Sequence, residues 1–171
     1  MNAQDSMNAQ DSIPQASNIE TSGSANWFEY PIRVQPHHTD YGGVVWHGTY
    51  ITWMESARVE CLRALEIPFE RLVKLGYDLP VVALDIRYRQ PLTLGMDAMV
   101  KTRLAPQKGI RLNWQYEIET VEESPQLCIT GEVTLVTVEV RDRKVVRRLP
   151  PEIKTLIQQV EQHFTAKPLS N

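Results

Sequence analysis

A chain of 171 residues, 42% hydrophobic and 23% charged, has the length and composition of a single globular domain with a sizeable core. Its net charge of −3 argues against a nucleic-acid-binding surface, and no run approaches the roughly 18 apolar residues of a membrane span. Two cysteines, Cys61 and Cys128, are too few for a disulfide framework. With an N-terminus that lacks a secretory signal pattern, they lead to the expectation of a cytoplasmic protein.

Residues 1–26 open with a six-residue word written twice, "MNAQDSMNAQDS", and continue rich in Ser, Asn, Gln and Thr. Such a segment has little apolar surface to offset its ordering entropy, so a disordered tail is expected. A folded domain is expected over 27–164, with a C-terminal tail at 165–171. From "WFEYPIRVQP" (27–36) the pattern alternates: Phe28, Tyr30, Ile32 and Val34 fall on one face of a strand. The period then changes. Tyr50, Met54, Ala57, Cys61 and Ala64 follow helical spacing between Thr49 and Leu65. Glu55, Arg58, Glu60 and Arg63 lie on the opposite face, at spacings for local pairing.

After a linking segment (66–78), four stretches rich in β-branched residues read as strands: 79–91, 94–106, 110–121 and 126–140. Their links, "PLTLG", "PQKG" and "EESP", suit short antiparallel turns. "PPEIKTLIQQVEQHF" (150–164) reads as a short helix with proline at its start. The fold class is α+β: about five strands in a curved antiparallel sheet, one long helix, and a short C-terminal helix. One helix covers one sheet face, so the other face is expected to find its cover in an oligomer.

The densest chemistry stands just before the long helix, in "PHHTDYGGVVWHGTY" (36–50). Asp40 precedes a turn carrying Gly42 and Gly43, and the helix begins at about His47 to Thr49. The unpaired N–H groups of a helix start point back toward such a turn and can hold a developing oxyanion, while a carboxylate attacks or activates water. Aspartate before glycines is equally ordinary turn chemistry. His37, His38, Asp40 and His47 are zinc-binding residue types, but no i, i+4 histidine pair exists among them, and no metal site is expected.

The block "HHTDYGGVVWHGTYITWMESARVECLRAL" closely resembles the signature of the 4-hydroxybenzoyl-CoA thioesterase (4HBT) superfamily, in its YbgC-like branch. The resemblance covers about residues 28–150 and implies the hotdog fold, an antiparallel sheet wrapped around one long helix, assembled as homodimers or homotetramers. It implies an acyl-CoA thioesterase that releases a free acid and CoA, with acyl carrier protein as an alternative carrier and no cofactor. Asp40 takes the place of the family's catalytic carboxylate. His47 supplies the backbone N–H that contacts the thioester carbonyl, and its imidazole matches the motif histidine. Trp46, Tyr50 and Trp53 surround the helix start, where they fill core and can line the acyl pocket. Lys108 and Arg111 stand at a hairpin similar to the one from which relatives present basic residues to the CoA phosphates. The basic run at 141–150 reads as a solvated hairpin edge. Two competing readings are a hotdog hydratase or dehydratase of acyl thioesters, and a non-catalytic thioester-binding protein.

Overall fold

The computed structural model describes residues 27–165, and the tails expected at 1–26 and 165–171 lie outside it apart from Thr165. The chain runs β1 (Phe28–Arg33), α1 (His47–Ala64), α2 (Phe69–Lys74), β2 (Tyr77–Asp78), β3 (Val81–Tyr88), β4 (Asp97–Leu104), β5 (Arg111–Thr120), β6 (Leu127–Val136), β7 (Val138–Glu139), β8 (Lys144–Val145) and α3 (Pro151–Thr165). A five-stranded antiparallel sheet has the order β1-β4-β5-β6-β3.

Packing follows the two periods. Leu112, Trp114, Tyr116, Ile118 and Thr120 point inward from β5 while the residues between them face outward. Tyr50, Trp53, Met54, Ala57 and Cys61 form the buried stripe of α1, which packs on β4 and β1. On β6, Gly131 leaves room for α1: an added Cβ there would sit 3.2 Å from Met54 Sδ. Ile153, Leu156, Ile157 and Val160 seat α3 over the far end of the core.

Five features differ from the sequence expectation. The segment 66–78 holds α2 and β2, with Pro68 opening α2. The apolar run 126–140 is two strands: β6 ends at Val136, and β7 joins a second sheet of order β2-β7-β8. The link through "PLTLG" is no hairpin, because β3 lies on the β6 edge and β4 beside β1. Ala64 is exposed whereas Arg58 is buried, since Arg58 falls in the i±4 row between Met54 and Leu62. Finally, the sheet's outer face, read as a face in need of cover, carries an ion pair and a polar contact, Lys101 Nζ to Glu119 at 2.8 Å and Arg103 Nε to Gln115 at 2.9 Å.

Candidate active site

The segment between β1 and α1 is a small hairpin built on Asp40. The Asp40 N–H donates to the Val44 carbonyl (2.8 Å), and the Gly43 N–H returns to the Asp40 carbonyl (3.1 Å). Gly43 adopts φ +76°, a left-handed conformation that a residue with a Cβ rarely takes. The Asp40 Oδ1 accepts the N–H groups of Gly42 (2.8 Å) and Val44 (3.3 Å). One carboxylate oxygen therefore shapes the turn, and the exposed side chain leaves Oδ2 without a donor among the described residues. The ordinary turn role of Asp40 is real, and it fixes where the second oxygen stands.

Neighbouring segments hold this hairpin. The Val45 N–H donates to the Leu92 carbonyl (2.9 Å), and the Leu94 N–H to the Gly43 carbonyl (3.3 Å). A single 3-10 turn, Pro36–His38, precedes it. The His38 carbonyl receives both the Trp46 N–H (3.0 Å) and the Thr49 hydroxyl (3.0 Å), locking the start of α1 to this turn. Trp46 is the extended residue before the helix. Beyond it, the N–H groups of His47 and Gly48 find no acceptor among the described residues. Those two donors, at the positive end of an 18-residue helix, are suited to an anion or a polarised carbonyl oxygen.

Aromatic rings floor and flank the helix start. Tyr50 and Trp53 are buried with ring centroids 5.4 Å apart, and the Tyr50 hydroxyl accepts the buried Leu92 N–H (3.1 Å). Burial pushes the Tyr50 phenol above its ordinary value, opposed in part by that N–H. Trp46 instead lies half exposed, 4.6 Å from the His47 ring and over the position a Gly48 side chain would fill, so it caps the first turn rather than the core. The His38 Nδ1 accepts the Gln35 N–H (3.0 Å), and the ring meets Trp53 edge-on at 5.1 Å. Burial, then the neighbouring charge of His37, lowers the His38 pKa. His37, His38, Asp40 and His47 do not gather as a metal-ligating group among the described residues.

One residue escaped the sequence reading. Tyr88, at the end of β3, donates its hydroxyl to the His47 carbonyl (3.2 Å) and packs 5.8 Å from Tyr50. With Val44, Val45, His47 and Tyr50 it lines a depression of about 240 Å³ beside the helix start. An aromatic residue just before the "RQP" break is the only local hint, because its place depends on β3 pairing with β6. Lys108 and Arg111 pair across the β4–β5 turn and are exposed. They stand beyond the opposite end of β4 from the Asp40 hairpin, with the strand's eight residues, a span of roughly 23 Å, between the two. Within one protomer they do not join the site.

One five-stranded antiparallel sheet packed on one long helix is the hotdog class of fold. The chain belongs to the thioesterase-like superfamily, whose family model matches residues 34–157. It is 52% identical over 128 residues to the Synechocystis sp. protein sll0410, covering 75% of this chain and 76% of that one. It is 30% identical over 126 residues to the acyl-CoA thioester hydrolase YbgC of Escherichia coli, covering 74% and 92% respectively. The DHNA-CoA thioesterase of Staphylococcus aureus superposes with a TM-score of 0.70 at 27% identity, over 79% of this chain and 91% of that one.

Proposed function

We propose that this protein is an acyl-CoA thioester hydrolase that cleaves its substrate to a free acid and CoA where the Asp40 hairpin meets the N-terminus of α1. The observation that carries the reading is the pair of unclaimed N–H groups at His47 and Gly48, held beside a turn whose carboxylate keeps one oxygen unused. The thioester carbonyl oxygen accepts from the His47 N–H, which stabilises the negative charge that develops there; one such donor contributes roughly 3–4 kcal/mol in the transition state. Asp40 then acts by one of two routes. As nucleophile it attacks the carbonyl carbon, the C–S bond breaks, CoA leaves as the thiolate and takes a proton from solvent, and water hydrolyses the resulting mixed anhydride to free acid and the regenerated carboxylate. As base it takes a proton from water, whose oxygen attacks the same carbon; the C–S bond then breaks and the proton passes to the departing CoA thiolate. The His47 imidazole orients water or substrate, and Trp46, Tyr50 and Trp53 contribute to the acyl side of the site.

Assembly is part of the proposal. Among the described residues strand β3 pairs only with β6, and Val81, Val82 and Leu84 on it are exposed. An unpaired strand edge carrying apolar side chains favours a homodimer through β3, itself a building block for a tetramer. In such an assembly Lys108 and Arg111 can serve a neighbouring protomer's CoA phosphates. The reading places the protein in the cytoplasm, in keeping with two buried free thiols; among the described residues no helix is long and apolar enough to cross a membrane. The test is a thiol-release screen across aliphatic and aromatic acyl-CoAs plus one acyl-carrier-protein substrate. Release of CoA from at least one acyl-CoA supports hydrolysis. Water addition to an enoyl-CoA without thiol release, or CoA binding with no turnover of any substrate, contradicts it.

A further inference from the structure

Tyr88 reaches the helix start from the sheet. Its backbone ends β3 in register with Ile129 of β6, and the next two N–H groups, of Arg89 (2.8 Å) and Gln90 (3.2 Å), both donate to the Cys128 carbonyl. Its ring meets Tyr50 edge-on at 5.8 Å, and Tyr50 is itself tied through its hydroxyl to the Leu92 N–H. Main chain and ring are thus both held, yet the residue is 50% exposed and adds little to the core. Its hydroxyl donates to the His47 carbonyl at 3.2 Å. Burial raises the phenol above its ordinary value, so this donor keeps its proton at neutral pH.

The His47 carbonyl and the Gly48 N–H belong to one peptide unit. In a regular helix that carbonyl accepts the N–H four residues on, at Ile51, and its second lone pair is open to Tyr88. A donor on the oxygen of an amide draws electron density from its nitrogen and strengthens the N–H. It also fixes the plane of the peptide, and so the direction in which the Gly48 N–H points. We propose that Tyr88 is a positioning residue for thioester hydrolysis: through the His47 carbonyl it aims and polarises the Gly48 N–H, which joins the His47 N–H in holding the oxyanion. This rests on the hydrolase reading above, and adds to it a second donor and the side chain that tunes it. Gly48 carries no side chain to shield the donor, and a Cβ there would collide with the Trp46 ring.

The experiment compares the full-length wild type, Tyr88→Phe, and protein carrying 4-aminophenylalanine in place of Tyr88, whose amino group restores a donor on the same ring. Steady-state CoA release gives kcat and KM. Losing one oxyanion donor outright costs about 10²–10³ in kcat, and a bond in a chain gains about 10–30%, so Tyr88→Phe lowers kcat about two- to eightfold and leaves KM within about twofold. The amino ring recovers most of that loss. A second readout needs no turnover. His47-Gly48 is the one His-Gly pair in the sequence, so isotope labelling of histidine carbonyl carbons and glycine nitrogens gives a single correlated signal. Tyr88→Phe moves its carbonyl shift upfield and the amino ring returns it. Asp40→Asn keeps the wild-type carbonyl shift whatever its turnover, so this role and the hydrolase reading are read separately. An unmoved carbonyl signal, wild-type kcat in Tyr88→Phe, or a loss carried by KM overturns the proposal. Wild type that releases CoA from no substrate overturns the hydrolase reading, and the catalytic part of this role with it.

Discussion

Replacing Tyr116 by Phe tests how the buried guanidinium is held in the fold. Tyr116 is 1% exposed and its hydroxyl is the acceptor for Arg58 Nη1 at 2.9 Å. Burial pushes the phenol above its ordinary value while the Arg58 charge pulls it back, so the hydroxyl is neutral and present as an acceptor at working pH. A hydrogen bond to a charged group contributes about 1.5–3 kcal/mol, and its loss leaves Glu55, at 3.9 Å, as the guanidinium's one partner among the described residues. Tyr116→Phe is therefore expected to cost about 2 kcal/mol. For a domain of this size that corresponds to a drop in Tm of roughly 4–8 °C. Arg58→Met is expected to be neutral or stabilising, because it removes the poorly matched charge and keeps most of the volume. Adding Tyr116→Phe to Arg58→Met should then cost well under 1 kcal/mol. Urea unfolding of the four proteins closes the cycle. Equal costs of Tyr116→Phe in both backgrounds would refute the reasoning, since the hydroxyl would then act on something other than Arg58.

Two further outcomes follow from packing and protonation. Gly131→Val places its first carbon 3.2 Å from Met54 Sδ and 3.4 Å from Ile86 Cγ1, and its branches closer still; unfolding in urea should show a loss of about 1–3 kcal/mol, with Gly131→Ala losing less. Burial pushes the Cys61 thiol from an ordinary 9.0 up to about 12. Because the folded-state value is raised, the stabilisation is complete below pH 9 and is lost between pH 9 and 12, as the unfolded chain alone ionises. The contribution to the slope is about 1.4 kcal/mol per pH unit. Cys61→Ala, whatever its cost at pH 7, should lose stability less steeply across that window than wild type; parallel curves would contradict the shift.

The parts of the fold carried by short-range periodicity were legible in the sequence. Tyr50, Met54, Ala57 and Cys61 mark the buried stripe of α1, and the alternation in β4 and β5 marks their inner face. The candidate site was legible for a related reason, since Asp40 and His47 belong to one local block. Long-range placement was not legible. Nothing within residues 79–91 says that β3 lies on the β6 edge, so neither the crossover to β4 nor the position of Tyr88 against His47 could be read. That Lys108 and Arg111 fall at the end of β4 away from the Asp40 hairpin was not legible either, because a linear sequence does not reveal at which end of the sheet a hairpin falls. Arg58 was misjudged by charge: its neighbours Glu55 and Arg63 face solvent, but the row through Met54 and Leu62 carries Arg58 into the interior.

The hydrolase reading is tested most directly by measuring CoA release by Asp40→Asn against wild type on the best acyl-CoA substrate. The amide keeps an oxygen for the Gly42 and Val44 N–H groups, so the hairpin persists while the charge that attacks or deprotonates water is gone. The account predicts a folded variant of unchanged oligomeric state whose turnover falls on the order of a hundredfold or more. Wild-type turnover in that variant would contradict it.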